Sequence, residues 1–189
     1  MPLTPPAVQA SDRGQPLAAR EAGALKPLLM VDIDGVISLF GFERPSSVAG
    51  RIHSIDGIPH FLSSSAGEHL LALSGLFELV WCSGWEEKAN EYLPHLLGVP
   101  VLPYLRFDRD TRAGSSLRAH WKLDAIERYA TGRPLAWIDD AFNDACHEWA
   151  SDRTAPTLLV ATTPALGLTR REARLLGDWA VGLPAARRG

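Results

Sequence analysis

The sequence has few cysteines and no long apolar segment. Its 189 residues include only two cysteines, Cys82 and Cys146, which are too few for a disulfide framework, and no Cys-x-x-Cys or His-x-His spacing predicts a zinc site. No apolar run approaches the roughly 18 residues that a membrane span needs. The first 25 residues contain no continuous apolar segment of the kind found in secretory signals. We therefore expect a soluble, cytoplasmic protein without a membrane partner.

Neither sign of charge is in clear excess. Nineteen basic and 22 acidic residues give a net charge of −3, so the overall charge does not favour a nucleic-acid or membrane partner. Nothing in the sequence strongly indicates a protein partner. Only three basic residues are lysines, namely Lys26, Lys88 and Lys122, which makes the position of each one informative. The bias toward Ala, Arg, Gly and Pro is typical of GC-rich bacterial genomes.

The length predicts one folded domain with two tails. A chain of 189 residues has room for one hydrophobic core and little more. Residues 1–25 are rich in Pro, Ala and Gly without periodicity, which predicts a flexible tail, and residues 184–189 predict a second, short tail. Between them, residues 26–183 alternate apolar segments with helical patterns, which predicts an α/β domain with a parallel sheet.

Five short apolar segments, each near Gly or Pro, predict buried parallel strands. They cover residues 27–34, 77–83, 99–105, 134–140 and 157–162. Three of them end in polar sequences, namely Asp-Ile-Asp, Cys-Ser-Gly and Asp-Asp. Ligands of open parallel sheets bind beyond the carboxyl ends of the strands. The three polar ends therefore predict one binding site.

Helical patterns separate the predicted strands. The capping boxes Ser65-x-x-Glu68 and Thr169-x-x-Glu172 predict the starts of two helices. Three further helices are predicted over residues 85–97, 116–130 and 140–150, and Pro94 is expected to bend or split the first of these. Residues 37–64 fit neither pattern, and their turn signals predict a β-hairpin flap.

Two carboxylates end the first predicted strand. Asp32 and Asp34, in the sequence Asp-Ile-Asp-Gly-Val, are two residues apart and project to the same side of a strand. Carboxylates in so apolar a segment need a compensating cation. One of them can then act as a nucleophile and the other as a proton donor. The alternative is a pair of carboxylates that caps a turn or helix, and Gly35 permits a sharp turn there.

A second acidic pair, Asp139 and Asp140, ends another predicted strand. Four carboxylates at one edge of a sheet repel one another unless a divalent cation lies among them, and Mg²⁺ prefers such oxygen ligands. The alternative is that Asp139 or Asp140 caps the following helix. Asp144, one turn further on, is more typical of a solvated side chain than of a metal ligand.

Two further positions fit an anion. Ser83 and Gly84 follow the second predicted strand and precede a helix, where a hydroxyl and free backbone N–H groups bind anions. An ordinary helix N-cap is the alternative reading of Ser83. Lys122 lies in a predicted helix beside Trp121, just before the strand that ends in Asp139.

The order of these residues resembles the four motifs of the haloacid dehalogenase (HAD) superfamily, over about residues 27–182. The matching elements are Asp32-x-Asp34-Gly-Val, Ser83, Lys122 and Asp139-Asp140. The sequences Val-Trp-Cys-Ser-Gly-Trp (80–85), Trp-Ile-Asp-Asp (137–140) and Pro-Ala-Leu-Gly-Leu-Thr (164–169) resemble small bacterial HAD domains, which also occur in Swiss Army Knife RNA repair proteins. The resemblance implies a Rossmann-like sheet of five parallel strands in the order 5-4-1-2-3, with the site above the central strand.

The resemblance also implies a Mg²⁺-dependent phosphatase. Asp32 would attack phosphorus to form an aspartyl-phosphate, and Asp34 would protonate the leaving oxygen and then activate water. Mg²⁺ would be held by the Asp32 carboxylate, the backbone carbonyl of Asp34 and Asp139, with Asp140 in support. Which member of the Asp139-Asp140 pair is the direct ligand stays open.

The remaining motif residues are implied to bind the phosphate oxygens. They are Ser83, Gly84 and Lys122, with Arg118 as an alternative to the lysine. The second carboxylate, Asp34, favours a phosphatase, because dehalogenases of the superfamily lack it and P-type ATPases carry Lys-Thr after their nucleophile. Phosphoryl transfer needs mainly positioning and positive charge near the phosphate, which a metal and a lysine supply.

The spacing leaves no room for a large cap domain. About 48 residues separate Asp34 from Ser83, which is enough for a small flap. An open site fits a nucleic-acid end or a protein as well as a small ester. The four arginines of residues 106–118 are more typical of a solvated loop than of a phosphate-backbone contact.

Aromatic and histidine side chains give weaker indications. Packing is the favoured interpretation of Trp85 and Trp121, with stacking on a base as the alternative. His53 and His60 of the flap are candidates for contact with a leaving group. The sequence thus favours a phosphomonoester hydrolase, with two alternatives: a nucleic-acid (RNA) end phosphatase in repair, and a non-catalytic module that binds a phosphorylated ligand.

Overall fold

The apolar segments assemble into a parallel sheet in a computed structural model, which describes residues 25–42, 48–107 and 120–184. Residues 26–184 form one compact unit. The strands, in chain order, are β1 (Leu28–Val31), β2 (Ser38–Leu39), β3 (Gly50–Ile55), β4 (Ile58–Ser63), β5 (Glu78–Trp81), β6 (Leu135–Asp139) and β7 (Thr157–Ala161). The main sheet has the order β5-β1-β6-β7, and all of its strand pairs are parallel.

Helices flank this sheet on both faces. They are α1 (Ser64–Leu73), α2 (Lys88–Leu97), α3 (Leu123–Ala130), α4 (Asp144–Asp152) and α5 (Arg170–Gly182). Alternate residues of the central strand β1 enter different cores: Leu29 and Val31 join the side chains of α1, α2 and α5, whereas Leu28 and Met30 join those of α3 and α4. Because both faces are covered, β1 is buried along its whole length. The domain is therefore an α/β layer structure.

One of the five predicted strands, residues 99–105, is not a strand in the structure. It makes one isolated parallel bridge, between Tyr104 and Trp81 of β5, in which Trp81 N donates to Pro103 O at 2.8 Å and Leu105 N donates to Trp81 O at 2.9 Å. Proline has no N–H to donate to a ladder, and the segment contains Pro100 and Pro103. Four strands therefore form the sheet in the described residues, and this segment lies beside β5.

A small antiparallel sheet with the order β2-β4-β3 confirms the hairpin predicted within residues 37–64, of which 43–47 are not described. The β3–β4 hairpin (Gly50–Ser63) is called the flap below. It turns at Asp56 and Gly57, both with positive φ (52° and 80°). Asp56 accepts hydrogen bonds from Lys88 Nζ and from Tyr92 Oη of α2, the latter at 2.9 Å. The tip of the flap is therefore fastened to α2.

Two helix starts were predicted from capping boxes, and one is wrong. Thr169 and Glu172 form the predicted box at the start of α5. At α1 the N-cap is Ser63, whose Oγ accepts from Ala66 N at 3.1 Å, and Ser65 Oγ bonds to Ser63 Oγ instead. The chain passes directly from β4 into α1, so the last extended residue, Ser63, takes the capping position.

Pro94 does not split its helix. α2 runs from Lys88 to Leu97 and ends at Gly98, whose N–H donates to Pro94 O at 3.1 Å. Ala89 and Leu93 of this helix are buried in the core, and this packing offsets the hydrogen bond that proline cannot make. None of the helices in the described part of the chain combines the length and apolar character of a membrane span.

Candidate active site

Acidic and polar residues gather where three parallel strands end. Asp32 and Asp34 follow β1, Ser83 and Gly84 follow β5, and Asp139 is the last residue of β6. They lie at one edge because parallel strands share their carboxyl ends. A pocket of about 370 Å³ opens there, and its lining consists of Asp32, Asp34, Ser83, Gly84, Trp121 and Lys122.

Lys122 is a buried cation between two buried carboxylates. Its Nζ lies 2.9 Å from Asp32 Oδ2 and 2.6 Å from Asp139 Oδ2, and the three residues are only 3%, 6% and 1% exposed. Lys122 stands at the N-cap position of α3, whereas the sequence predicted a position within a helix. The preceding turn, closed by Leu123 N donating to His120 O at 3.1 Å, ends where the lysine enters the site.

Asp139 is held by three donors and does not cap a helix. Besides Lys122, Trp137 Nε1 donates to its Oδ2 and Ala141 N to its Oδ1, both at 3.0 Å. The helix predicted to begin at residue 140 begins at Asp144, with Asn143 as its N-cap. Helix capping therefore does not account for Asp139 and Asp140.

Asp32 carries an ionisable carboxyl that is buried. Burial raises its pKa to about 7, and the charge of Asp139 adds to the rise, while Lys122 opposes it. Its Oδ1 accepts a hydrogen bond from Ile33 N at 2.8 Å. Burial lowers the pKa of Lys122, but Asp32, Cys82 and Asp139 together raise it above the usual value. A further cation near Asp32 would keep its carboxyl ionised at neutral pH.

Asp140 completes an acidic cluster. One carboxylate oxygen from each of Asp32, Asp139 and Asp140 lies within 4.8 Å of the others. Burial, then the charge of Asp139, raises the pKa of Asp140. Three carboxylates face a single ammonium here, and an all-oxygen donor set of this charge fits a hard divalent cation such as Mg²⁺. Asp34 contributes no carboxylate oxygen to this cluster, and Asp144 is exposed outside it.

The turn after Asp34 is built closely against Asp140. Gly35 has φ +72°, and a Cβ on it would lie 2.4 Å from Asp140 Cγ, so glycine is required by both conformation and space. Thr162, which follows β7, donates from Oγ1 to Gly35 O at 2.8 Å. Sequence reasoning missed Thr162, because only the folded sheet brings the end of β7 beside this turn.

Asp34 is oriented by two elements distant in sequence. Its Oδ2 accepts from Trp85 Nε1 at 2.9 Å, and its Oδ1 lies 3.9 Å from His60 Nδ1 of the flap. Ser38 Oγ is 2.8 Å from the same His60 nitrogen. The sequence favoured packing for Trp85, so its hydrogen bond to Asp34 was missed, and it ranked His60 no higher than His53, which pairs with His60 across the hairpin.

Ser83 reaches the pocket without capping a helix. The residue is 2% exposed, and Glu86 N donates to its carbonyl at 3.0 Å to close a turn. α2 begins only at Lys88, with Glu87 at its N-cap position, so the anion site predicted at a helix N-terminus is not formed in that way. Ser83 and Gly84 line the pocket from this turn instead.

The remaining candidates, Trp121, Cys82 and the arginines of residues 106–118, differ in what the structure shows of them. The Trp121 ring, which lines the pocket, packs edge-on against Phe107 at 4.5 Å between centroids, and Lys122 Nζ lies 5.2 Å from its centroid. Cys82 is buried, and burial raises the pKa of its thiol well above the usual value, which fits a packed, unreactive side chain. Arg118 and the arginines at positions 109 and 112 lie outside the described residues.

No family model matches the chain, and no curated protein sequence is significantly similar to it. The description of the site therefore rests on the residues of this chain alone. These form a buried Asp32–Lys122–Asp139 bridge, with Asp140 beside it and Asp34 and Ser83 at the pocket wall.

Proposed function

We propose that the chain is a phosphomonoester hydrolase of the HAD type that acts through an aspartyl-phosphate on Asp32. The observation that carries this proposal is the buried Lys122 ammonium, which bridges Asp32 and Asp139 in a pocket that Asp34 and Ser83 also line. The same residues carry the resemblance to the HAD motifs in the sequence. Electrostatic positioning of this kind is what phosphoryl transfer requires of a protein.

In the first step Asp32 is the nucleophile. A carboxylate oxygen of Asp32 forms a bond to phosphorus while the bond from phosphorus to the leaving oxygen breaks, and Asp34 gives its proton to that oxygen. In the second step a water molecule attacks phosphorus, Asp34 takes the proton from the water, and the bond between Asp32 and phosphorus breaks. Phosphate leaves, and both carboxyl groups return to their starting states.

Asp32, Asp139 and Asp140 would hold Mg²⁺, with the backbone carbonyl of Asp34 as the further ligand that the resemblance implies. When bound, the ion supplies positive charge beside the phosphate oxygens. The hydrogen bonds from Trp137 and Ala141 N keep the Asp139 carboxylate in one orientation. Such support from outside the ligand set is typical of metal sites.

Lys122, Ser83 and Gly84 would bind the phosphate group. An ammonium has three N–H donors, and two of them are directed to Asp32 and Asp139. The third can reach a phosphate oxygen in the pocket. Ser83 adds a hydroxyl donor and Gly84 a backbone without a side chain at the exposed wall.

A HAD-type domain with only a small cap is the finer fold that accompanies this function. The order β5-β1-β6-β7 and the bridged segment beside β5 are compatible with the strand order 5-4-1-2-3. The flap would be the small cap, since it lies between Asp34 and Ser83 in the sequence and its His60 Nδ1 is 3.9 Å from Asp34 Oδ1. The substrate is accordingly a phosphorylated small molecule or a nucleic-acid end.

The proposal is tested by hydrolysis of an aryl phosphate, with and without Mg²⁺, by the wild-type protein and by Asp32→Asn. We expect turnover that requires Mg²⁺ and falls by about three orders of magnitude or more in Asp32→Asn, because the substitution removes the nucleophile. Asp144→Asn is the matched control, since Asp144 is exposed and outside the acidic cluster, and it should keep full activity.

Other outcomes would favour other functions. Activity that survives in Asp32→Asn contradicts the mechanism. A folded protein that binds Mg²⁺ and phosphate without turnover supports the module that binds a phosphorylated ligand. A strong preference for 3′- or 5′-phosphorylated oligonucleotides, with activity that falls steeply with salt, supports the nucleic-acid end phosphatase.

A further inference from the structure

Asp34 is much less enclosed than Asp32 and Asp139. Its side chain is 50% exposed, whereas Asp32 and Asp139 are buried against Lys122. A half-exposed carboxyl group samples several orientations unless something fixes it. To protonate a leaving oxygen it must present one particular oxygen within hydrogen-bond distance of that atom. What orients Asp34 therefore bears directly on the proton transfer.

Trp85 supplies a fixed hydrogen-bond donor to Asp34. Its Nε1 lies 2.9 Å from Asp34 Oδ2. The indole ring packs against the hydrophobic core, and its backbone carbonyl accepts from Lys88 N at 3.0 Å, in the turn that leads into α2. Core packing and this turn therefore fix the position of the indole N–H group.

The two oxygens of Asp34 have different neighbours. An indole N–H is a donor only, so Asp34 Oδ2 must be an acceptor in this contact. Asp34 Oδ1 lies 3.9 Å from His60 Nδ1, beyond hydrogen-bond distance, and Ser38 Oγ holds that nitrogen at 2.8 Å. The His60 ring also meets the Trp85 ring edge-on, 4.9 Å between centroids. Oδ1 therefore remains the oxygen that can carry a proton.

We propose that Trp85 is a positioning residue for the leaving group: its hydrogen bond to Oδ2 of Asp34 makes Oδ1 the oxygen that protonates the leaving oxygen. This inference rests on the proposed phosphatase function. As the bond from phosphorus to the leaving oxygen breaks, the proton passes from Oδ1 to that oxygen, and Asp34 becomes a carboxylate that later takes a proton from water. His60, held by Ser38, forms the flap side of the same arrangement.

The test is the dependence of the Trp85→Phe effect on the leaving group. Phenylalanine keeps an aromatic ring and removes the N–H group. An alkoxide is a poor leaving group that needs protonation, whereas the nitrophenolate ion leaves without it. The comparison uses kcat/KM, which depends on the steps up to departure of the leaving group and not on the later attack of water, in which Asp34 also takes part. For an alkyl phosphate we expect kcat/KM to fall by about 10- to 100-fold, because proton transfer to the leaving oxygen is impaired. For p-nitrophenyl phosphate we expect a loss of less than about threefold.

Trp149→Phe is the matched control. Trp149 also donates its Nε1 hydrogen bond to a carboxylate, Glu127, at 3.1 Å, but it lies in α4 and takes no part in the site. We expect it to leave kcat/KM for both esters unchanged. In an Asp34→Asn background, Trp85→Phe should have no further effect on the alkyl phosphate, because the group that it positions is absent.

Several results would overturn the inference. Equal losses in kcat/KM for both esters in Trp85→Phe, or a further loss of the same size when Trp85→Phe is added to Asp34→Asn, would assign Trp85 a merely structural role. If Trp85→Phe does not fold, Trp85→His, which keeps a ring N–H group, should lose no more kcat/KM for the alkyl phosphate than for p-nitrophenyl phosphate, and a larger loss for the alkyl phosphate would contradict the inference. A wild-type protein without turnover of either ester would overturn the proposed function itself. Turnover that needs Asp32, together with a Trp85→Phe effect that does not depend on the leaving group, would overturn this inference alone.

Discussion

Replacing Lys122 with methionine removes the one ammonium that the described residues bring to the site and keeps a side chain of similar length. In the wild-type protein the Nζ atom is 2.9 Å from Asp32 Oδ2 and 2.6 Å from Asp139 Oδ2. At an effective dielectric constant of roughly 20, each contact corresponds to about 6 kcal/mol of Coulomb attraction. Most of this attraction is offset by the cost of removing three charges from water.

The substitution leaves two buried carboxylates without their cation. Breaking a buried ion pair from one side lowers the free energy of unfolding by about 3–5 kcal/mol, and we expect a loss of this size for Lys122→Met at neutral pH without divalent cations. Lys122 lowers the pKa of Asp32, which stands at about 7, so its removal moves that pKa further up. A carboxyl that binds its proton more tightly in the folded state stabilises the fold as pH falls. The loss should therefore be largest at alkaline pH and shrink as the pH falls toward about 7, below which Asp32 is protonated in both folded proteins and the difference no longer changes through this group.

The assay is urea denaturation followed by tryptophan fluorescence, in EDTA and in MgCl₂. Lys88→Met is the control, since Lys88 forms an exposed ion pair with Asp56 and such pairs contribute little. Adding Asp139→Asn to Lys122→Met should recover part of the stability, because it removes one uncompensated negative charge. Mg²⁺ should also recover part of it, because the ion replaces the positive charge of the lost ammonium. A Lys122→Met variant that is no less stable in EDTA than Lys88→Met would refute the reasoning.

Three further predictions follow from single contacts. Gly35→Ala should lower the free energy of unfolding by at least about 1 kcal/mol, from the positive φ alone, and weaken Mg²⁺ binding in calorimetry, because the new Cβ displaces Asp140. Thr162→Val should lower the free energy of unfolding by about 1–3 kcal/mol in urea denaturation, because Gly35 O loses its donor. Asp56→Asn should speed amide hydrogen exchange in the flap, because it weakens the contact of Asp56 with Lys88 and Tyr92. In the wild type the hydrogen bond from Lys88 holds the pKa of Asp56 below its usual value, so the same faster exchange should appear only below about pH 4.

Each of these has a clear contrary result. A Gly35→Ala variant with unchanged Mg²⁺ affinity would show that the turn does not position Asp140. A Thr162→Val variant as stable as the wild type would mean that Gly35 O needs no donor. Flap exchange rates that do not change in Asp56→Asn, measured against the same amides in the core strand β1, would show that the contact with α2 does not hold the flap.

The acidic part of the site could be predicted from the sequence because its geometry follows from strand order. Asp32, Asp34 and Asp139 stand at the ends of apolar segments, and parallel strands bring such ends together whatever the loops between them do. Lys122 was found because lysine is rare in this chain. Its place at the start of α3, rather than within a helix, depends on a turn that no local pattern marks.

The contacts of Asp34 could not be predicted in the same way. Trp85 and His60 are respectively 51 and 26 positions away in sequence, and each side chain is as typical of packing as of function. Their contacts depend on how the flap brings His60 close to Asp34 and on how the turn after Ser83 directs the indole. The strand predicted over residues 99–105 is absent for a simpler reason. Its apolar residues fit a strand pattern, but Pro100 and Pro103 have no N–H groups to donate to a ladder.

The segment that contains the flap leaves and rejoins the rest of the domain at neighbouring points. Ser38 pairs with Leu62, and Ser63 N donates to Ile37 O at 2.9 Å, so the insertion between β2 and α1 begins and ends within one pair of hydrogen-bonded residues. The entropy of closing a loop between fixed ends grows slowly with length, by about 0.6 kcal/mol for each doubling. Segments of quite different length can therefore be exchanged at this point without moving the four parallel strands, which makes this junction the natural place to replace the flap while the acidic edge of the sheet stays unchanged.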